Sequence, residues 1–161
     1  MSDSSLPITR RRFCAGACQV ASGVTLATVF SACGGSPTGP SGTGSGGNTT
    51  TLPRLNGQFS GSSVRVNTSG TALNDVGGAA LVESTAGVFL VSRNSASAFT
   101  AIDAVCSHES CTITGADGTT YVCQCHGSRY DRGGRVLQGP ARASLRQFTT
   151  TFNEGVVTIA L

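Results

Sequence analysis

The sequence contains no lysine, no tryptophan and one methionine, and only 12% of its 161 residues are charged. Such poverty in charged residues and abundance of glycine, the commonest residue at 22, argue against a helical bundle and for a turn-rich β domain. All eleven basic residues are arginine, a bias read here as compositional and not functional. No Ser-His-Asp set, phosphate-binding loop, carboxylate pair or nucleotide fingerprint is present, and no internal repeat. The net charge of +3 is no footprint for nucleic acid. It stems from Arg10, Arg11 and Arg12, since from residue 33 onward eight arginines face seven acids.

What is present begins with a leader. Thr9-Arg10-Arg11-Arg12-Phe13 precedes nineteen uncharged residues, Cys14 to Ala32. A basic segment before an apolar run describes a bacterial export signal over residues 1–32, and Ser/Thr-Arg-Arg-x-Phe resembles the twin-arginine type. The apolar run is short and weakly hydrophobic for a permanent span. Phe30-Ser31-Ala32-Cys33-Gly34 resembles a bacterial lipobox, which makes Cys33 a candidate for lipidation, with a retained anchor or soluble release as alternatives. Residues 33–51 form a linker. From Gly34 onward it contains only Gly, Ser, Thr, Pro and Asn, and its eighteen residues would span roughly 24 Å as a flexible tether.

Residues 52–161 read as a single all-β domain. Val64–Val66, Ala79–Glu83, Val88–Arg93 and Phe99–Ala104 are β-branched or aromatic runs bounded by Gly, Asn and Ser. Residues 115–118 read as a turn into Thr119–Cys123, and Asn153-Glu154-Gly155 as a turn into Val156–Ala160. No segment sustains a helical period for three turns.

Chemistry concentrates in two boxes, Cys106-Ser107-His108-Glu109-Ser110-Cys111 and Cys123-Gln124-Cys125-His126-Gly127-Ser128-Arg129-Tyr130. They hold both histidines of the chain and four of its seven cysteines. Cys106-x-His108 and Cys123-x-x-His126 each present one thiolate and one imidazole. Two thiolates and two imidazoles suit tetrahedral zinc. They suit equally a two-iron cluster with thiolates on one iron and imidazoles on the other. Zinc fingers usually group Cys with Cys and His with His and follow them with a helix, whereas here each box mixes the two.

The pattern Cys-x-His-x-x-Cys followed by Cys-x-Cys-His-Gly-Ser-x-Tyr-Asp resembles the Rieske iron–sulfur proteins, in particular their high-potential, cytochrome bc-like branch. The resemblance covers roughly residues 75–160. It continues through Gly133-Gly134-Arg135-Val136-Leu137-Gln138-Gly139-Pro140-Ala141, then Leu145, Phe148, Gly155, Val157 and Ile159. It implies an antiparallel β sandwich with a small cluster-binding subdomain and a Rieske [2Fe-2S] cluster. Cys106 and Cys123 would hold the inner iron, and His108 and His126 the outer one. Imidazoles in place of thiolates raise the potential, to roughly −150 to +300 mV against about −400 mV for all-thiolate clusters. The resemblance further implies a disulfide between Cys111 and Cys125. It would close a loop of about fifteen residues, for roughly 3 kcal/mol, in an oxidising compartment. Ser128 and Tyr130 would donate hydrogen bonds that tune the potential. Gly139-Pro140-Ala141 resembles the proline loop that covers the cluster, with Arg142 where a second proline is common, which implies a looser cover.

The function so implied is one-electron transfer on the periplasmic face of a bacterial cytoplasmic membrane. Alone, the domain would be a carrier and not a catalyst; within a complex it would be the iron–sulfur subunit of a quinol:cytochrome c oxidoreductase. Its partners would then be a cytochrome b quinol site and a c-type cytochrome. The alternatives are a stand-alone lipoprotein carrier or the small subunit of a periplasmic oxidase such as arsenite oxidase. More remote are a dioxygenase ferredoxin, which should lack the disulfide, and a structural zinc module. Glu109 and Ser110 depart from the Leu and Gly common in cytochrome bc-type proteins, and Glu109 puts a charge on an otherwise apolar docking face.

Overall fold

The computed structural model describes residues 48–161. The expected export signal, Cys33 and the linker up to residue 47 lie outside the described residues.

Seven strands precede the first box: β1 (Thr50–Thr51), β2 (Arg54–Asn56), β3 (Gln58–Ser60), β4 (Ser63–Asn67), β5 (Ala79–Ser84), β6 (Gly87–Arg93) and β7 (Phe99–Asp103). Two lie between the boxes, β8 (Gly115–Asp117) and β9 (Thr120–Val122). Five end the chain: β10 (Arg129–Tyr130), β11 (Val136–Gln138), β12 (Gln147–Phe148), β13 (Thr150–Asn153) and β14 (Val156–Ala160). Among the described residues there is no helix. The strands form three sheets, in the orders β1-β8-β9-β10-β11, β12-β7-β6-β5-β2 and β13-β14-β4-β3. The all-β class expected from the sequence is therefore observed. Every ladder is antiparallel except β2 on β5, which is parallel.

The middle sheet explains why the sequence reads as unbroken apolar runs at β5 and β6. Successive side chains of a strand point to opposite faces, so a strand buried on both sides has no polar positions to alternate. Leu81, Leu90 and Ile102 are cross-strand neighbours and enter one core with Tyr121, Tyr130, Cys106 and Cys123. Ala80, Val82, Phe89, Val91 and Ala101 enter the other with Val64, Val66, Val157 and Ile159. A one-residue slip of β6 would exchange the two sets, so the register is fixed by both cores at once.

Two local expectations are corrected. Residues 115–117 form strand β8 and not a turn, and the hairpin to β9 closes over Gly118 and Thr119, with Gly118 at φ 57°. A two-residue hairpin loop needs positive φ at its first position, which glycine supplies. Thr50 and Thr51, at the end of the expected linker, pair with Ala116 and Gly115, so ordered chain begins before Leu52.

Candidate metal centre

The first box connects β7 to β8 and the second connects β9 to β10, and the two loops close in the same way. Cys106 N–H donates to the Cys111 carbonyl at 2.8 Å, and Ser110 N–H returns to the Cys106 carbonyl at 3.0 Å. Cys123 N–H donates to the Ser128 carbonyl at 2.8 Å, and Gly127 N–H to the Cys123 carbonyl at 2.9 Å. In each loop the residue four after the first cysteine has positive φ, 57° at Ser110 and 77° at Gly127. Glycine adopts that conformation freely, whereas an L side chain pays about 1–2 kcal/mol for it.

These loops bring together all the candidate ligands. Cys106 and Cys123 are unpaired thiols, 2% and 1% exposed, close enough to perturb one another's ionisation. The His108 and His126 rings lie edge to face with centroids 5.0 Å apart, and their side chains are 28% and 45% exposed. The soft donors thus form an inner pair rooted in the first core and the imidazoles an outer pair open to solvent. Such a donor set fits a two-iron cluster with thiolates on the inner iron and imidazoles on the outer. Cys111 and Cys125 are joined as a disulfide between the loops, with Cα atoms 6.6 Å apart. That is the pairing the resemblance implied.

The two inner thiols are not equivalent. Burial pushes the Cys106 thiol up, but hydrogen bonds from Tyr130, the His108 backbone, Cys123 and Ser128 outweigh it and leave it below the ordinary thiol value. Burial also pushes Cys123 up. The Cys125 and His126 backbone groups pull it down, while neighbouring Cys106 pushes further, and the net shift is upward. The thiolate is the metal-binding form, and the donors gathered around Cys106 are ones that stabilise it. The Tyr130 hydroxyl lies 3.2 Å from Cys106 Sγ and accepts the Ser107 N–H at 3.3 Å. Its own ionisation is pushed up by burial and by Cys106. Ser128 is fully buried, and its Oγ accepts the Ala141 N–H at 3.0 Å, which leaves its own proton free to donate elsewhere.

The segment Gly139–Ala143 is tied to both ligand loops: Ala141 through Ser128, and the Ala143 carbonyl through the Ser107 hydroxyl. The cover expected to be loosened by Arg142 therefore has two tethers, and its Gly139-Pro140 peptide is cis. Ser107 joins Tyr130 to this segment, a role missed from the sequence; a hydroxyl one residue after a ligand cysteine was its only signal. Thr114 also bridges the loops, donating to Gln124 Oε1 at 3.1 Å. Glu109 places one carboxylate oxygen 3.9 Å from His108 Nε2 and the other 3.7 Å from His126 Nε2, an arrangement that spacing alone did not reveal.

Residues 60–149 match the family described as the Rieske [2Fe-2S] domain. The cytochrome b6-f complex iron-sulfur subunit of Prochlorococcus marinus (strain MIT 9211) is 47% identical over 45 residues, 27% of this chain and 25% of that protein. The subunit of the same description from Chlorobaculum tepidum is 26% identical over 69 residues, 42% of this chain and 38% of that protein. The chain thus spans well under half the length of these relatives. The cyanobacterial plasma membrane Rieske protein PetC3 from Synechocystis PCC 6803 superposes with a TM-score of 0.53 at 24% identity, covering 61% of this chain and 99% of that one, a likeness of fold. Because the matched stretch is more than half the chain and takes in both ligand loops and the segment that covers them, the chain belongs to the Rieske [2Fe-2S] domain family, and its cofactor is the [2Fe-2S] cluster of that family.

Proposed function

We propose that the protein carries single electrons as the iron–sulfur subunit of a quinol:cytochrome c oxidoreductase-like complex at the periplasmic face of the membrane. One observation carries the reading. Two buried thiols and two solvent-facing imidazoles converge from loops clamped by Cys111–Cys125, with Tyr130 hydrogen-bonded to Cys106. When bound, the cluster supplies a one-electron couple. Cys106 and Cys123 would hold it from the buried side, and His108 and His126 from the solvent-facing side that a partner can reach. Hydrogen bonds from Tyr130 and Ser128 stabilise the more negative, reduced state and raise the potential. The similarity to cytochrome b6-f subunits supports a cytochrome b and a c-type cytochrome as neighbours. Twin-arginine export would carry the folded domain across the membrane, with Cys33 lipidated to hold it there.

A second reading, a stand-alone lipoprotein carrier or the small subunit of a periplasmic oxidase, is favoured by Glu109, which puts a carboxylate where a quinol would reach the imidazoles. Electron paramagnetic resonance of the reduced protein, with iron and sulfide analysis, tests the cluster. A silent spectrum with stoichiometric zinc overturns it. Co-purification of b-type haem from solubilised membranes separates the two assemblies, and mass spectrometry of the mature N-terminus tests lipidation of Cys33.

A further inference from the structure

We propose that Glu109 is a specificity-determining residue, an anionic cap over the exposed imidazole edge. It selects a protein partner with a cationic docking face over a neutral donor of the quinol class, and so weighs toward the second of the two readings above. The inference rests on the assignment of His108 and His126 as cluster ligands. Both Nε2 atoms face the Glu109 carboxylate, one oxygen to each ring, at 3.9 and 3.7 Å. With Nε2 turned outward, Nδ1 is the nitrogen left for iron, and Nε2 carries the N–H that a small electron donor must engage. At these distances the carboxylate closes no hydrogen bond to either ring, but a quinol oxygen seeking the N–H would have to enter beside an anion that already stands over both imidazole edges, and the two oxygens would crowd and repel.

The backbone that carries the carboxylate is anchored on its C-terminal side. Ser110 on one side is held to the Cys106 carbonyl, and Cys111 beyond it is in the disulfide. Yet the Glu109 side chain is 60% exposed, and its ion-pair contacts among the described residues are the two imidazoles alone. A cationic group on a partner pairs with it without displacing it, and the attraction steers the encounter toward the most exposed ligand edge. Arg142 is the other charge at this tip. It lines a shallow cleft with Ser107, His108, Pro140 and Ala143. His108 is thus flanked by an acid and a base, so that a docking partner is oriented as well as attracted.

The test uses the cluster-loaded protein, wild type, Glu109→Gln and Glu109→Leu. Stopped-flow oxidation is followed with two small probes of opposite charge, ferricyanide and tris(phenanthroline)cobalt(III), and reduction with a soluble short-chain quinol. One charge at about 6 Å in water is worth roughly a threefold change in encounter per unit of probe charge. Both variants should speed ferricyanide and slow the cobalt complex by up to about thirtyfold, three charges on each probe, and both differences should collapse in 1 M salt, where screening acts over about 3 Å; the uncharged quinol should speed up severalfold and keep that gain in salt. Midpoint potentials measured alongside separate access from driving force, because a change in potential alone moves both oxidants in the same direction. Rates that stay unchanged, or that shift in the same direction for both oxidants, with the cluster signal intact, overturn the inference. Absence of the cluster signal from the wild type overturns the ligand assignment itself.

Discussion

Tyr130→Phe tests whether the redox level is set by one hydroxyl. The β10 tyrosine is fully buried, with its OH 3.2 Å from Cys106 Sγ. Its cross-strand neighbour on β9, Tyr121, is equally buried, but its hydroxyl has no hydrogen-bond partner, and Arg132 lies over its ring at 4.6 Å. The pair provides a perturbation and its control one register position apart. A hydrogen bond to a charged acceptor is worth about 1.5–3 kcal/mol, and only the part that grows when the cluster gains an electron enters the potential. If that part is about 1–2 kcal/mol, Tyr130→Phe lowers the midpoint by about 40–90 mV, since 59 mV corresponds to a tenfold change for one electron. The same change strands the Ser107 N–H that Tyr130 accepts, so stability should fall by about 1–3 kcal/mol. Tyr121→Phe removes a hydroxyl that closes no hydrogen bond, although Arg132 and Ser92 lie near it, and should leave the midpoint unchanged and stability within about 1 kcal/mol of wild type. The assay is a potentiometric titration followed by electron paramagnetic resonance, with thermal melting in parallel. Equal midpoints for wild type and Tyr130→Phe, at full cluster occupancy, would refute the reasoning.

Ser110→Gly relieves an L residue at φ 57°, and the gain should be about 0.5–1 kcal/mol after the entropy of the added glycine, seen as a rise of a few degrees in melting temperature; a lower melting point would show that the serine side chain contributes more than its backbone costs. Ser128→Ala removes the acceptor of the buried Ala141 N–H, for a loss of about 1–3 kcal/mol, and should lower the midpoint as well; a midpoint equal to wild type would leave Ser128 with a structural role only. The double change Cys111→Ser with Cys125→Ser opens the 14-residue bridge, at about 3 kcal/mol in the chain-entropy model, and heating should bleach the cluster's visible absorbance at a lower temperature. Bleaching at the wild-type temperature would show that the clamp is dispensable.

The convergence of the four candidate ligands was legible because each is chemically scarce: with two histidines in the whole chain, both inside boxes that also hold cysteine, little else could compete. The longer strands were legible through apolar runs that match β4 to β7 and β14, and the three-residue β9 through the turn residues before it. The other short strands were not. β1, β10 and β12 are two residues long and β2, β3, β8 and β11 three, too brief for a period of two to register. They exist because neighbouring strands supply their partners. The mutual position of Glu109 and the two imidazoles was hidden for a different reason, since it depends on how one loop faces the other across the disulfide.

That facing follows from a repetition in the backbone that the side chains conceal. Counting from Cys106 and from Cys123, both loops make the same two hydrogen bonds and place positive φ at the same step. At the second step one loop carries His108 and the other Cys125, and at the third one carries Glu109 and the other His126. The two backbones are alike, but the ligand imidazole falls one position later in the second loop. Glu109 is therefore the backbone counterpart of His126, and the two meet at 3.7 Å. At the fourth step the repetition demands left-handed backbone from both residues, and Gly127 meets it at no steric cost while Ser110 does not. The first loop thus departs from its twin at two adjacent positions, one bearing charge and one bearing strain. Both are exposed residues that follow His108 directly, and neither belongs to the buried thiol pair.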